Sequence, residues 1–230
     1  MIRRRELLFL VACAVRPAWA QNAPPGSPPG SAAPGDVARP PGLPAIGKWM
    51  IASDGSVAHW LNEVYEGKRL REPINIILVD AAAKSAEEAR QRLVAAASAA
   101  GYPVRFGHSS GYRAIIGEAL HPQLPEGRDD AFSNRVFELS NNHGRLFGPH
   151  RAGDVFVSTG AFSREEVRPL RVPEHGYASF NRARDDVAHG LDRAGPFKRR
   201  GFVDLGNAIV ADPQVGTGDH DGLAVLLRAE

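Results

Sequence analysis

The chain has 230 residues, of which 43% are hydrophobic and 23% are charged, and its formal net charge is +2. This apolar fraction supports a packed core and excludes a fully disordered chain. The single cysteine, Cys13, excludes a disulfide framework and a multi-thiolate metal cluster.

Residues 1–20 are typical of a secretory signal peptide. Arginines at 3–5 precede an apolar run at 7–15, and the tripeptide Ala-Trp-Ala at 18–20 supplies a small-x-small cleavage pattern. The run is too short to span a bilayer as a helix. We therefore expect a periplasmic or secreted protein without a transmembrane helix in the mature chain.

Loss of this segment, which holds four Arg and one Glu, changes the formal net charge from +2 to −1. The mature chain thus has no electrostatic footprint for nucleic acid.

Two alternatives remain open for the export signal. Residues 10–13 resemble a lipobox, in which Cys13 is lipidated and tethers the chain to a membrane. Residues 4–8 resemble a twin-arginine signal, which directs export after folding.

Residues 21–45 are expected to form a proline- and glycine-rich tether. The segment holds eight Pro and four Gly and almost no large apolar residue, so it cannot bury a core of its own. A spacer that holds a domain away from a membrane and a disordered mature N-terminus both fit this composition. The folded domain is then expected over residues 46–230.

The first predicted elements of that domain are a strand and a helix. After a short helix or irregular lead-in at 49–65, the β-rich apolar run at 74–80 predicts a buried strand. Ser85 and Glu88 form a capping box that begins a helix, and Gly101 and Pro103 end it.

The remaining elements are mostly strands. Residues 102–131 are punctuated by Gly and Pro and predict no single element, whereas strands are predicted at 136–139, 146–147 and 155–157, with a tight turn at 141–144. Ser179 caps a second helix that ends at Gly195-Pro196, and 202–210 and 223–227 form a final antiparallel pair. The order predicts an α+β two-layer sandwich, related to the ferredoxin-like fold, with a mostly antiparallel sheet and two main helices on one face.

Four polar clusters can carry chemistry, and the first lies at 141–145. His143 and Arg145 can bind an anion beside the predicted turn, with Asn142 and the turn amides as further donors. A plain hairpin turn explains the Asn and Gly residues equally well, but it does not explain His143 and Arg145.

The second cluster, at 175–182, runs from His175 into the second helix. A helix N-terminus attracts anions through its free amides and its dipole. An N-cap with solvated neighbours explains the same residues. Further along this helix, Asp185 and His189 are four residues apart, which is also the spacing of a salt-bridged solvent face.

The third and fourth clusters lie at 217–222 and 107–112. Asp219, His220 and Asp221 are metal-ligand types, but adjacent residues of an extended chain point to opposite sides, so this pattern favours a turn and we expect no metal site. Small residues around His108 can form a phosphate-cradling loop, although the Gly-Lys-Ser/Thr of a P-loop is absent. The sequence contains neither a Gly-x-Ser-x-Gly elbow nor a His-Glu-x-x-His helix.

Residues 73–230 resemble the LssY C-terminal domain family of bacterial envelope domains. The resemblance is carried by the strand and helix at 73–102, by His-Gly-Arg-Leu-Phe at 143–147, by the apolar strand at 155–161, by the segment from His175 to Arg184-Asp185, and by Asp221-Gly222. The family's paired histidines appear here as Asn142-His143 and a lone His175, and its Ile-Asp-Pro helix entry is absent, which disfavours a metal site built on paired histidines. Relatives often lie beside membrane phosphatase-like domains, so the resemblance implies a phosphorylated envelope lipid as ligand.

Three functions fit these observations. In the first, the domain binds an anionic ligand, such as a phosphorylated lipid or glycan, through His143, Arg145, His175 and Arg184. The sequence indicates no particular cofactor or oligomeric state.

In the second, the protein is a hydrolase of phosphate or carboxylic esters, with His143 or His175 as general acid/base and Asp185 or Asp221 as the group that orients it. In the third, it is a structural or interaction module. The first two require these side chains to converge in one pocket.

Overall fold

The computed structural model describes residues 36–127, 129–170 and 175–230. The predicted signal peptide and residues 21–35 of the predicted tether lie outside the described residues. Residues 36–45, also expected in the tether, belong to the fold. Strand pairing begins at Val37, Trp49 Nε1 donates a hydrogen bond to Asp36 Oδ1 at 2.8 Å, and Ala38 and Leu43 pack against a core cluster.

The described residues form fifteen strands and two helices. In chain order, these elements are β1 (Val37–Ala38), β2 (Ile46–Gly47), β3 (His59–Tyr65), β4 (Lys68–Arg71), β5 (Ile76–Asp80), α1 (Ala86–Ala99), β6 (Val104–Phe106), β7 (Arg113–Ile116), β8 (Ala119–Leu124), β9 (Asp130–Ser133), β10 (Asn141–Ala152), β11 (Val155–Val167), β12 (His175–Ser179), α2 (Phe180–Ala194), β13 (Lys198–Asp204), β14 (Val215–Gly216) and β15 (Leu223–Ala229).

Twelve of the described strands form one sheet, and its main path runs β1-β2-β7-β8-β10-β11-β5-β15-β13. β12 pairs with β11, and the two short strands β6 and β9 extend from β10. A second sheet has the order β14-β4-β3. Most pairs are antiparallel, but β15 pairs with β5 and β14 with β4 in parallel.

The predicted ferredoxin-like two-layer sandwich is wrong. The fold is mostly β, with one large sheet. This sheet is curled because both faces of its central strands are buried. On β5, Ile76 and Leu78 pack with the helices, whereas Ile77 and Val79 pack in a second cluster with Ile46 of β2. Packing of β2 and β5 in one cluster requires the sheet to curl over its own inner face.

The two predicted helices are confirmed. Ser85 Oγ accepts from the Glu88 amide at 3.1 Å, and the Glu88 carboxylate accepts from the Lys84 amide at 2.9 Å. Ser179 Oγ accepts from the Arg182 amide at 2.9 Å and begins α2. No helix among the described residues is both long enough and apolar enough to cross a membrane.

The strand predictions are partly confirmed. The buried strand at 74–80 and the antiparallel pair near the C-terminus are present as β5 and as β13 with β15. The lead-in at 49–65 was predicted as a short helix or an irregular segment, and both fail for its second half, since β3 occupies 59–65. The predicted strand at 136–139 belongs to a loop, and the predicted turn at 141–144 lies inside β10.

Candidate functional site

The long hairpin of β10 and β11 sets the site, because side chains alternate between the two faces of a strand. Asn141, His143 and Arg145 share the inner face of β10, and all three are buried. On β11, Glu165 is the direct cross-strand neighbour of Asn141 and is 1% exposed. Three polar side chains of β10 and one carboxylate of β11 therefore lie together inside the fold.

Asn141 links the carboxylate to an imidazole. Its side-chain amide donates to Glu165 Oε1, and its Oδ1 lies 3.1 Å from His143 Nδ1, within hydrogen-bond distance. This contact favours the His143 tautomer that carries its proton on Nδ1.

His108 joins the site from the loop between β6 and β7. Its ring stacks on the His143 ring, with centroids 4.5 Å apart and planes at 27°. Positive φ angles at Gly107 and Gly111 let the backbone turn inward here, and a Cβ at Gly107 would lie 2.7 Å from that of Phe137. The fourth polar cluster thus meets the first one in space.

His175, at the start of β12, joins from the other side. Its Nδ1 lies 3.4 Å from Glu165 Oε1 without the alignment of a formed hydrogen bond. Phe137 stacks on the His175 ring at 4.5 Å and meets the His108 ring edge-on at 5.5 Å. Phe137 therefore covers both imidazoles from the loop that precedes β10.

Arg145 is the cation of the site, and it is 4% exposed. Its Nη2 donates to the Ser109 carbonyl at 2.6 Å, and its guanidinium lies 5.2 Å from the centre of the Tyr112 ring. The Arg145 charge also acts on the buried carboxyl of Glu72.

Burial sets the charge states of these groups. It lowers the pKa of His108 to about 4 and holds the pKa of His143 well below its ordinary value, and the nearby Arg145 charge acts in the same direction. Burial raises the pKa of Glu72 to about 7, against the attraction of Arg145. Near neutral pH, both imidazoles are therefore uncharged while Arg145 remains charged.

Three buried nitrogens of this site have no hydrogen-bond partner among the described residues. They are Arg145 Nε, His108 Nε2 and His175 Nδ1. An unpaired buried polar group costs about 1–3 kcal/mol, so three of them in one place favour a ligand or water that pairs with them.

A groove of about 390 Å³ lies next to Tyr112, between the loop before β7 and strand β8. Tyr112 and Gln123 lie in its wall, and the same Tyr112 ring has the Arg145 guanidinium 5.2 Å from its centre. Two aromatic rings therefore contact the site, Tyr112 at Arg145 and Phe137 at the histidines.

Asn142, predicted as a ligand-binding residue, faces the opposite side of β10. Its Nδ2 donates to Asp186 Oδ2 at 2.8 Å and to the Tyr102 hydroxyl at 3.3 Å, and its Oδ1 accepts from Arg164 Nη1 at 3.2 Å. The alternation of the strand separates Asn142 from His143 and Arg145.

Arg184, Asp185 and Asp221, also predicted as site residues, form a separate ion cluster. Arg184 Nη1 donates to Asp221 Oδ1 at 2.6 Å and to the Leu223 carbonyl at 2.9 Å, and Nε donates to Asp185 Oδ1 at 2.9 Å. The guanidinium also lies over the Phe202 ring. These contacts use Arg184 to join α2 to the segment before β15, and they bring neither aspartate to a site histidine.

Asp219 occupies the N-terminus of α2, where the sequence predicts an anion. Its carboxylate accepts from the Tyr177 and Ser179 hydroxyls and, at 2.8 Å, from the Phe180 amide. His220 Nε2 contacts Asn207 Oδ1 at 2.8 Å. The third cluster therefore provides the Asp219 carboxylate as the anion at the N-terminus of α2.

No group of three or more His, Cys, Asp or Glu among the described residues has an arrangement that could hold a metal ion. At the site itself, the His108 and His143 rings stack face to face, which does not direct their nitrogens at one common point.

Sequence reasoning missed Glu165 and Glu72 and did not join His108 to the site. Glu165 carried little signal, because it lies among the polar residues Ser163, Arg164 and Glu166 at the end of β11. Glu72 carried none, since a single charged residue before a strand has many surface explanations.

No family model matches the chain, and no curated protein or solved structure matches it either.

Proposed function

We propose that this protein binds an anionic group, a phosphate carried by a lipid or a glycan, in the buried site around Arg145. The observation that carries the proposal is the pair of unpartnered buried nitrogens, Arg145 Nε and His108 Nε2. A phosphate oxygen accepts from the guanidinium, and a second oxygen accepts from His108 in the tautomer protonated on Nε2.

The charges of the site support an anion of modest charge. Arg145 is cationic, and the pKa of Glu72 near 7 means that a large fraction of its carboxyl is neutral close to neutral pH. Burial also raises the pKa of Glu165, although the Asn141 hydrogen bond, His175 and Arg145 oppose this shift. An incoming phosphate therefore meets one fixed cation and carboxyls whose ionisation is disfavoured.

The sequence supports the ligand source that we propose. The export signal expected at 1–20, the tether and the resemblance to the LssY C-terminal domain family support an exported envelope protein, with lipidation at Cys13 as the alternative anchor. In that setting, a phosphorylated lipid or glycan is the ligand class that we propose.

The proposal is tested by calorimetric titration with inorganic phosphate, glycerol phosphate and glucose phosphate. Arg145→Lys keeps the charge but removes Nε, so we expect phosphate affinity to fall by about tenfold or more, since a charged hydrogen bond contributes about 1.5–3 kcal/mol. Arg184→Lys is the matched control, because Arg184 is equally buried but lies in the separate ion cluster. Its phosphate affinity should equal that of the wild type.

A second pair of variants controls for misfolding. His108→Phe keeps a flat ring for the stack on His143 and removes Nε2, and His121→Phe makes the same change at a histidine outside the site that also has an unpartnered Nε2. We expect loss of phosphate binding in the first variant alone. No measurable phosphate binding by the folded wild type, or equal binding by all variants, would reject the proposal in favour of a structural or interaction module.

One observation favours hydrolysis as a second candidate. Glu165 lies 3.4 Å from His175 Nδ1, so a small rotation gives the carboxylate–imidazole pair of a general base. In this arrangement Glu165 takes the orienting role that the sequence analysis gave to Asp185 or Asp221, which lie in the other cluster.

This candidate is tested with a panel of phosphate and carboxylic esters. Turnover should fall at least about 10²-fold in His175→Ala and markedly in Glu165→Gln. Asp185→Asn serves as the control and should retain full turnover. Turnover that is insensitive to His175→Ala and Glu165→Gln would discard these roles.

A further inference from the structure

The hydrogen bonds of Asn141 fix the orientation of its side-chain amide. Its Nδ2 donates to the Leu139 carbonyl at 2.8 Å and to Glu165 Oε1, so both amide hydrogens are in use. The amide oxygen, Oδ1, therefore faces His143 Nδ1, at 3.1 Å. Because an amide oxygen only accepts hydrogen bonds, His143 carries its proton on Nδ1.

This tautomer leaves a lone pair on His143 Nε2. The imidazole carries no charge near neutral pH, since burial holds the pKa of His143 well below its ordinary value. Among the described residues, the hydrogen bond of the His143 ring is the one between Nδ1 and Asn141, and none reaches Nε2. The site thus contains a hydrogen-bond acceptor in addition to the donors Arg145 Nε and His108 Nε2.

The acceptor lies on the side of the ring that faces the proposed anion. Asn141 precedes His143 and Arg145 follows it at alternate positions on the same face of β10. The two nitrogens of an imidazole ring point in nearly opposite directions, so Nε2 points away from Asn141, toward the Arg145 side. The His108 ring stacks on His143 at 4.5 Å. An anion held by Arg145 and His108 therefore lies next to the His143 lone pair.

The charges of the site favour an anion with a single negative charge. Arg145 supplies one positive charge, and the neutral rings of His108 and His143 add none. The buried carboxyls of Glu72 and Glu165 oppose further negative charge. A phosphate monoester with one negative charge keeps one proton on a phosphate oxygen, and that hydroxyl is a hydrogen-bond donor.

We propose that the site selects a phosphate monoester in its singly protonated form, whose own hydroxyl donates to His143 Nε2. The ligand is then a terminal phosphate, not a phosphodiester that links two groups. A diester or a sulfate ester has no such proton, so its oxygens would face the lone pair without a hydrogen bond. This inference rests on the proposed function and names the ligand class of the same site.

The test is calorimetric titration of the full chain with methyl phosphate and with methyl sulfate. At about pH 5 most of the methyl phosphate carries one proton, because its second pKa is about 6, and the two ligands then have the same shape and charge. Methyl phosphate should bind about tenfold more tightly or better, because methyl sulfate leaves a buried acceptor unpaired. Equal affinities would overturn the inference and leave the proposed function intact.

His143→Phe tests the acceptor itself. It keeps a flat ring against His108 and removes Nε2, so the ratio of the two affinities should fall toward one, whereas a general loss of structure weakens both ligands alike. His121→Phe makes the same change at a histidine whose ring contacts His150 outside the site, and it should keep the wild-type ratio. An unchanged ratio in folded His143→Phe would overturn the role of Nε2. The comparison of the two ligands in the wild type decides the selectivity even where His143→Phe does not fold.

Three further ligands identify the carrier of the phosphate. Glucose phosphate and dihexanoyl phosphatidic acid present a terminal phosphate on a sugar and on a lipid, and the tighter binder of the two is the carrier type. Dihexanoyl phosphatidylglycerol, a diester of the same lipid, should bind at least about tenfold more weakly than the phosphatidic acid. Equal binding of the two lipids would contradict selection of a monoester. Absence of binding for every one of these anions would reject the proposed function, and this inference with it.

Discussion

The rings of His108 and His143 stack with their centroids 4.5 Å apart, although one belongs to a loop and the other to the middle of the sheet. This contact holds the loop at 107–112 over the inner face of β10. It also places two imidazoles in a position where burial and the Arg145 charge keep both of them neutral. The stack therefore gives the site hydrogen-bonding nitrogens without adding charge.

The buried carboxyl of Glu72 should make stability depend on pH. Its pKa in the folded protein, about 7, lies above its ordinary value of 4.5, so the folded state binds a proton more tightly than the unfolded state. The stability from this group is fully present below pH 4.5 and is lost as pH rises through about 7.

Glu72→Gln removes this titration. We compare the free energy of unfolding of Glu72→Gln with that of the wild type. The two should be nearly equal in acid, and above neutral pH that of Glu72→Gln should be larger by roughly 3 kcal/mol. Urea denaturation at several pH values measures the difference. Glu118→Gln, a change in the turn between β7 and β8, should show no such trend, and a constant difference for Glu72→Gln across the pH range would contradict the pKa assignment.

The Asp219 carboxylate should stabilise the start of α2. It accepts hydrogen bonds from two hydroxyls and one backbone amide, so Asp219→Ala leaves Tyr177, Ser179 and the Phe180 amide without this acceptor. We expect a loss of about 2 kcal/mol in the free energy of unfolding, as for a strong helix cap.

Thermal and urea unfolding test this expectation. Asp54→Ala, which removes an acceptor only from Ser56 in an exposed turn, should cost much less. Equal losses in the two variants would show that Asp219 has no special role at the helix. Phosphate affinity should be unchanged in Asp219→Ala, because Asp219 lies outside the anion site.

Phe137 should control access to His175. Since its ring stacks on His175 and meets His108, Phe137→Ala uncovers both imidazoles. We expect the rate of His175 carbethoxylation, followed by peptide mass spectrometry, to rise several-fold. Phe202→Ala removes a comparable half-exposed ring near Arg184 and should leave that rate unchanged. A His175 rate that does not respond to Phe137→Ala would mean that another group covers the imidazole.

The elements with strong local signals were predicted correctly. Ser85 and Ser179 each begin a helix because a hydroxyl that accepts from the amide three residues later is a short-range signal. The apolar run that became β5 was equally clear. In contrast, Asn141-Asn142-His143-Gly144 favours a turn by its own chemistry, and pairing with β11 makes it the start of a strand.

The candidate site was predicted in part. His143, Arg145 and His175 do come together, but Asn142, Arg184, Asp185 and Asp221 do not join them. Side chains of β10 alternate between its two faces, which separates Asn142 from His143. This alternation could not be used in the prediction, because the Asn and Gly residues at 141–144 indicated a turn instead of a strand. The partners of Arg184 are set by where α2 lies against β15, which spacing along one helix does not reveal.

The NMR signal of the Arg145 Nε–Hε group, followed during titration with inorganic phosphate, tests most directly whether Arg145 Nε binds an anion. We predict a saturable shift of the Arg145 signal with the same midpoint as the calorimetric titration, while the Arg184 signal stays in place. An Arg145 signal that does not move when phosphate binds, or that moves no more than that of Arg184, would contradict the claim.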